Sequence, residues 1–399
     1  MGFAKKTVYC KNLICTPKEG VHMKMTRMRI HNLSYYSLLG LLIFDSAIRN
    51  SQVLFSVYQK VEQIFTITIL AIILVTIINA QLKLSEFFIL SFMVIIGILI
   101  YIRLGRMLFL YLTIILVFSE GKDLDKIGYL MLKILGGIFG FNLLCTIYFF
   151  LFDRGSLYIR IALQETRPQL DLSCGGHPNH AACFFVFLIC IISYLYWERI
   201  SVRYWMIISM LTIIIYYLIG SDAVFATFLL FAIWLIRNNV QFIYIFRKFI
   251  KFGIPIILVI SLIFLWAQYI PGGTVMANWL NDISSGRFQL SVEAINRYPI
   301  TFLGANTEFG HIEIGFNDSQ YIYADNAYVY MLINSGIIYL ILLTGILLQS
   351  ADWLESKSVA VLVVYLCYGL AESNILSFNC LFPILVAVMH MKRNRIRFY

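Results

Sequence analysis

The residues best suited to chemistry lie in one long polar stretch, from about Pro271 to Ala327 of this 399-residue chain. It carries two arginines, one histidine and six carboxylates, among them Arg287, Arg297, His311, Glu293, Glu308, Glu313, Asp318 and Asp325. A guanidinium group binds phosphate through paired hydrogen bonds, and a carboxylate or an imidazole accepts a proton from a hydroxyl. Arg287 is therefore a candidate for binding an anionic group. The candidates for a general base are Asp325, His311, Glu308 and Glu313.

A second polar stretch begins at Asp153 and is rich in the same residue types. It carries three arginines and ends in a Gly-Gly-His-Pro-Asn turn: Arg154, Arg160, Arg167, His177 and Asn179. Three guanidinium groups in one segment suggest a bound anion. His177 either belongs to that site or only caps the next helix, since glycine and proline shape such turns by themselves.

The composition of the chain indicates an integral membrane protein that is all-α and polytopic. Hydrophobic residues make up 60% of the chain and charged residues 13%, with a mean hydropathy of +0.82. A soluble protein of this length needs far more polar surface. About twelve transmembrane helices are predicted. They correspond to apolar runs at 31–48, 62–80, 85–102, 106–119, 127–152, 180–197, 204–220, 222–237, 253–270, 327–348, 358–376 and 378–391.

The net charge of +10 is better explained by membrane topology than by nucleic-acid binding. With both termini in the cytoplasm, 21 of the 31 basic residues fall in inner segments and nine in outer ones. Membrane proteins concentrate Lys and Arg on the cytoplasmic side, so this orientation is predicted. Residues 1–30 then form a basic cytoplasmic tail that lacks a signal peptide. Residues 31–391 form the transmembrane domain with outer loops 153–180 and 271–326, and residues 392–399 form a second basic cytoplasmic tail.

Several polar features receive purely structural interpretations. Asp45 and Arg49 are four residues apart and are predicted to form an ion pair on one helix face. The Asp123-Leu-Asp125 pair is interpreted as a solvated turn, and the basic segment 237–251 as an amphipathic stretch on anionic lipid. The eight cysteines have no metal-ligand spacing, so neither a metal site nor a disulfide framework is predicted.

The main loop has a predicted internal order. Phe288, Val292 and Ile295 recur at helical spacing after Ser284-Ser285-Gly286-Arg287, which predicts an amphipathic helix in the membrane interface. A small-residue turn, Leu303-Gly304-Ala305-Asn306, follows. Asp325-Asn326 then opens the next helix, and Asp325 is interpreted as its N-cap, a role that does not exclude catalysis. The aromatic residues either stack on sugars or anchor the interface; they are Trp279, Phe316, Tyr321, Tyr323 and Tyr328.

Taken in order, these motifs resemble those of the Wzy-type polysaccharide polymerases. The elements are the arginine-bearing loop ending in Gly-Gly-His-Pro-Asn, Ser-Gly-Arg with its helix, Leu-Gly-x-Asn, and Asp-Asn-Ala-Tyr with Gly336 ten residues after Asn326. The family shares a membrane superfamily with the O-antigen ligases and is related to the GT-C glycosyltransferases. Ligases tend to have His-Asn in place of Asp325-Asn326, which favours a polymerase. The paired Arg-x10-Gly pattern of some polymerases does not fit this chain.

The resemblance implies a reaction at the outer face of the bacterial cytoplasmic membrane. A growing glycan is transferred from undecaprenyl diphosphate to the next lipid-linked oligosaccharide repeat unit, without a cofactor or metal. The implied partners are that substrate, the lipid bilayer, a flippase and a chain-length regulator; nucleic acid is not one. Arg287, Arg160 and Arg167 would bind the diphosphate. Residues assigned to the base or to the glycan are Asp325, His311, His177, Asn179, Asn326 and Tyr328.

Three alternatives remain at this point. The first is a ligase-type glycan transferase of the same superfamily. The second is a twelve-span transporter of the major facilitator type, which usually has a large basic inner loop between its halves, whereas here spans six and seven are joined only by ERISVR. The third is a lipid-linked oligosaccharide flippase, which has no need of two sizeable outer loops.

Overall fold

Helices follow the predicted apolar runs in the computed structural model of the chain. It describes residues 19–49, 51, 54, 57–80, 84–105, 107–152, 159–161, 168–170, 178–267, 275, 278–279, 282, 287–307, 310–315, 318–322, 324 and 326–397. The first helices are α1 (Glu19–Arg49), α2 (Glu62–Asn79), α3 (Leu84–Leu104), α4 (Leu108–Val117) and α5 (Leu124–Phe152). The middle of the chain forms α6 (Pro178–Leu195), α7 (Val202–Ile219), α8 (Ala226–Leu235) and α9 (Val240–Ala267). The last helices are α10 (Arg287–Arg297), α11 (Ala327–Asn334), α12 (Gly336–Ser350), α13 (Ser356–Ala371) and α14 (Phe382–Arg397).

Four stretches of the described chain are long and apolar enough to cross a membrane. They are Glu62–Asn79, Leu124–Tyr148, Val202–Ile219 and Gly336–Trp353. Other helices are apolar but shorter. The ten residues of α4 extend about 15 Å, which is half the thickness of a hydrocarbon core. The prediction of a helical membrane protein is thus supported, and the number of spans remains a prediction.

The exposed surface of the peripheral helices is apolar, as expected for a lipid-facing bundle. On α2, Ile64, Ile67 and Leu74 are all at least 60% exposed. The centre of the bundle is formed by α6 and α13, whose side chains are buried on nearly all sides. A helix that is hydrophobic all round is stable only when surrounded by other apolar surface.

Several helix boundaries differ from the predicted spans. The amphipathic segment 237–251 and the span after it form one continuous helix, α9, which contains Pro255. The apolar run 327–348 is broken at Ser335, because Gly336 has a φ of +81° and starts a new helix. The predicted N-terminal tail is helical from Glu19, and α14 continues to Arg397.

Each polar stretch contains a short antiparallel hairpin, which the all-α prediction did not include. In the first, β1 (Ile159–Ile161) pairs with β2 (Pro168–Leu170). In the second, β3 (Gly310–Gly315) pairs with β4 (Asp318–Ile322), with an irregularity between Glu313 and Gly315. Two-stranded hairpins are marginally stable alone, so these depend on the helices around them.

Polar contacts between helices join segments that the charge pattern assigns to the same side. Segments predicted to lie inside are joined by contacts of His31 with the Thr76 carbonyl (3.1 Å), Lys122 with Asn32 (2.5 Å) and Lys251 with Asp352 (2.7 Å). Segments predicted to lie outside, or span ends next to them, are joined by contacts of Arg49 with Glu62 (2.7 Å), Ser221 with Asn179 (2.9 Å) and Arg287 with Glu372 (3.3 Å). This pairing is consistent with helices that alternate in direction.

Candidate functional site

A buried ion pair joins the start of α10 to the end of α13. The Nη2 atom of Arg287 donates to Oε1 of Glu372 at 3.3 Å. The Glu372 side chain is 2% exposed and that of Arg287 is 25% exposed. A buried carboxylate is costly unless a cation or hydrogen-bond donors compensate it. The buried carboxylate of Glu372 therefore holds a guanidinium group that remains partly exposed.

Glu372 was missed in the sequence because it lies within an apolar run that was assigned to a span. Its backbone N–H donates to the Tyr368 carbonyl at 3.0 Å, and its extended backbone ends α13. A single carboxylate within a membrane segment is usually functional or paired, and this signal could have identified it.

Helix α10 is the amphipathic helix predicted from the main loop, and its inner face packs against protein. Ala294 is fully buried and Val292 is 8% exposed. Ala294 belongs to a small apolar cluster with Ala305, Ala324, Val329 and Ile333. This packing fixes the first turn of α10, where Arg287 lies, relative to α11.

The small-residue turn that follows α10 packs against the break between α11 and α12. The Ala305 N–H donates to the Ile333 carbonyl at 2.8 Å, and the Ile337 N–H donates to the Thr301 carbonyl at 3.1 Å. Gly304 and Gly336 both have positive φ, at +89° and +81°. A Cβ on Gly304 would lie 2.3 Å from the Asn334 carbonyl oxygen, and one on Gly336 would lie 2.3 Å from that of Phe302. Two motifs that are thirty-two residues apart thus meet through their backbones.

The N-cap of α11 is Asn326, which corrects the interpretation of Asp325 as the cap. The Asn326 Oδ1 accepts hydrogen bonds from the Tyr328 and Val329 N–H groups at 3.0 and 3.4 Å. Its Nδ2 donates to Ser261 Oγ on α9 at 3.1 Å. The described contacts of Asn326 therefore attach the start of α11 to α9. Asp325 itself lies outside the described residues.

Tyr328 attaches the same helix to α13. Its side chain is fully buried, and its hydroxyl donates to the Leu366 carbonyl at 2.6 Å. A Cβ on Gly369 would lie 3.1 Å from that hydroxyl, so the glycine allows the ring to approach α13 closely. Through these contacts, Tyr328 connects α11 to α13, the helix that ends at Glu372.

Asn179 is a predicted site residue of the second polar stretch, and its side chain is described. It lies in the first turn of α6 and is half-buried. Its Oδ1 accepts a hydrogen bond from Ser221 Oγ at 2.9 Å, which connects α6 to the turn after α7.

The other predicted site residues are described only in part. Arg160 lies in β1 opposite Gln169, and His311 lies in β3 opposite Tyr321. Arg167 and His177 lie outside the described residues, as does Asp325. The structure thus brings Arg287, Asn326 and Tyr328 into one assembly of α10, α11 and α13. The side-chain positions of Arg160, Arg167, His177, His311 and Asp325 remain predictions.

Within the described part of the chain, no group of three or more His, Cys, Asp or Glu side chains is arranged to hold a metal ion. Comparisons of the chain with protein-family models, with curated proteins and with solved structures found no match.

Proposed function

We propose that this protein is a Wzy-type polysaccharide polymerase that extends a cell-surface glycan such as a capsule, O-antigen or exopolysaccharide. The observation that carries the proposal is the ion pair between Arg287, which is 25% exposed, and Glu372, which is 2% exposed. Arg287 lies in a segment that the charge pattern assigns to the outer side, where arginine is uncommon. A guanidinium group held there by a buried carboxylate is suited to bind an anionic lipid-linked substrate.

The proposed reaction transfers the growing glycan from undecaprenyl diphosphate to a hydroxyl group of the next repeat unit. Cleavage of the anomeric bond to diphosphate leaves negative charge on the departing phosphate. A guanidinium group stabilises that charge most when it is already in place, because no reorganisation is then needed during the reaction. Glu372 provides this positioning for Arg287, and Arg160 and Arg167 are proposed to bind the same diphosphate.

The acceptor hydroxyl must lose a proton as it attacks. Asp325 and His311 are the proposed bases, and both belong to the segment between α10 and α11. Asp325 directly precedes Asn326, whose hydrogen bonds fix the start of α11. A carboxylate at this position would be near the positive end of α11, which favours its ionised form. His177 is proposed to contact the acceptor glycan from the other polar stretch.

The proposal requires the site to lie at the outer face of the bacterial cytoplasmic membrane. Twelve spans with both termini in the cytoplasm would put the two polar stretches there. The pairing of same-side polar contacts supports this arrangement, as do the apolar surfaces of α2 and α7. A flippase would deliver the lipid-linked units to this face, and a chain-length regulator would act on the product.

Deletion of the encoding gene tests the function directly. We expect the surface glycan to be reduced to single repeat units, with undecaprenyl-diphosphate-linked units accumulating on the outer face of the membrane. Expression of the wild-type chain should restore long polymer. Accumulation on the inner face would instead indicate a flippase or another transporter. Unchanged glycan length and unchanged intermediates would contradict the proposal.

A further inference from the structure

Two buried cysteines from distant parts of the chain meet near the end of α13. Cys183 lies in the second turn of α6, and Cys380 ends the short 3-10 helix Phe378–Cys380. Their sulfur atoms are 2.9 Å apart, and their side chains are 4% and 0% exposed. The residues are 197 positions apart in sequence, so the fold alone brings them together.

We propose that Cys183 and Cys380 form a disulfide bond in the mature protein. The bond requires a two-electron oxidant. We propose that this oxidant is a molecule that itself contains a disulfide bond. The thiolate of one cysteine attacks a sulfur of the oxidant, forms a mixed disulfide and releases one thiol. The thiolate of the second cysteine then attacks the sulfur of the first and releases the other thiol. Two cysteine thiols and one oxidant disulfide thus give one protein disulfide and two reduced thiols.

The position of the pair in the chain suits such a bond. Cys183 is five residues beyond Pro178, or about 8 Å along α6 from its first residue. Cys380 lies in the connection between α13 and α14, which the charge pattern assigns to the same side as the start of α6. That side is the outer one, where disulfides form and persist. Because the folded bundle encloses both sulfur atoms, the exchange takes place before the segment Phe378–Cys380 has packed against α6.

The bond would brace the region that carries the ion pair. Glu372 is eight residues before Cys380, in the same connection between α13 and α14. A cross-link to α6 would therefore anchor that connection at a second point, in addition to the contact between Glu372 and Arg287. The inference rests on the contact between the thiols and on the side of the membrane, and it does not depend on the proposed glycan transfer.

A split chain tests the cross-link. A specific protease site is inserted between Asn238 and Asn239, which are both exposed in the turn before α9. Cells are treated with N-ethylmaleimide to block free thiols, and the protein is cut in mild detergent and run in SDS without reductant. We expect the two fragments to migrate as one species and to separate when dithiothreitol is added. Fragments that separate without reductant would overturn the proposal.

Serine variants identify the pair. Cys183→Ser and Cys380→Ser should each release the fragments without reductant. Cys190→Ser is the matched control, because Cys190 is buried on the same helix about 10 Å further along and its variant should stay linked. Fragments that stay joined in Cys183→Ser would show that another pair is bonded and would overturn the assignment. If a variant is not produced, peptide mapping of the wild-type protein decides, since the linked peptides are two hydrogen atoms lighter than the free ones.

Discussion

Two arginines in segments predicted to lie outside, Arg49 and Arg287, have very different surroundings. Arg49 donates to Asp45 at 3.1 Å, to the Tyr58 hydroxyl at 2.9 Å and to Glu62 at 2.7 Å, and the Tyr58 hydroxyl also donates to Asp45. The Arg49 side chain is 43% exposed, and its partner Glu62 is 40% exposed. The carboxylate partner of Arg287, in contrast, is 2% exposed.

Arg49 belongs to a network at the protein surface, whereas Arg287 pairs with a buried carboxylate. Exposed ion pairs contribute about 0–1 kcal/mol, because water already solvates both charges. Loss of one partner from a buried pair costs several times more, because the other charge stays behind without compensation. The predicted ion pair between Asp45 and Arg49 is confirmed, and two carboxylates share this one arginine, which leaves a net negative charge in the network. Glu372 is the group that makes Arg287 different.

The largest expected effect comes from disrupting the turn at Gly336, which positions the segment after α10. Gly336→Ala puts a Cβ at a φ of +81° and 2.3 Å from the Phe302 carbonyl oxygen. We expect a loss of about 3–5 kcal/mol, from strain and from displacement of the segment after α10. Thermal unfolding in detergent measures it. Gly140→Ala on α5 is the control, because its Cβ would meet nothing within 4 Å. Equal melting temperatures for the two variants would contradict the contact.

A double-mutant cycle compares the two ion pairs themselves. Arg287→Gln with Glu372→Gln should give a coupling free energy of about 2–3 kcal/mol, since each single variant leaves a buried or half-buried charge behind. Arg49→Gln with Glu62→Gln should give about 0.5 kcal/mol, because both side chains of that pair are at least 40% exposed. Both cycles use unfolding in the same detergent. Similar coupling free energies in the two cycles would show that the two ion pairs do not differ in strength.

Lys122 is a third cation, and the contacts described for it are with neutral groups. Lys122 is 8% exposed, donates to Asn32 and lies 5.1 Å from the centre of the Tyr35 ring. Burial lowers the pKa of Lys122 from 10.5 to about 8. Between about pH 8 and 10.5, the unfolded chain therefore binds a proton that the folded chain has released, and stability rises with pH. Below about pH 8, Lys122 is protonated in both the folded and the unfolded state, and the full destabilisation from burying its charge remains.

Lys122→Gln should remove that rise and increase stability at pH 7 by about 1–2 kcal/mol. The melting temperature measured from pH 7 to 10.5 tests it. Lys126→Gln, whose lysine is 72% exposed, should keep the wild-type pH dependence. A wild-type rise in Lys122→Gln would show that another group is responsible.

The smallest expected effect concerns the cap of α11. Asn326→Ala should cost about 1 kcal/mol, whereas Asn326→Asp should be nearly neutral, because both Asn and Asp accept the cap hydrogen bonds. Asp325→Asn should leave the melting temperature unchanged, since Asp325 is not the cap. It should nevertheless reduce polymer if Asp325 is the base. Wild-type polymer in Asp325→Asn would exclude that role.

The sequence predicted the helices well because lipid demands long apolar runs, and each of the twelve runs contains a helix. It did not predict the break at Ser335, since the run 327–348 is apolar on both sides of Asn334 and Ser335 and was assigned to one span; the positive φ of Gly336 interrupts the helix there. Arg287 was identified from the sequence because arginine is uncommon in segments predicted to lie outside. A departure of this kind can be read from the local sequence alone. Glu372 was missed because it lies in an apolar run that was assigned to a span. Its pairing with Arg287 and the contact between Cys183 and Cys380 depend on packing between distant segments, which the sequence does not show.

The central claim is that the guanidinium group of Arg287 binds the diphosphate of the lipid carrier, and Arg287→Lys tests it most directly. A simple attachment to lipid phosphate needs only positive charge, whereas a paired hydrogen bond to the leaving phosphate needs the planar guanidinium. Loss of one such bond in the transition state costs about 2.7–4 kcal/mol, or about a hundred- to thousand-fold in rate. The measurement is surface glycan length together with lipid-linked intermediates, at matched protein level, with Arg49→Lys as the control. We predict mostly single repeat units on lipid in Arg287→Lys and long polymer in Arg49→Lys. Wild-type chain lengths in Arg287→Lys would contradict the assignment.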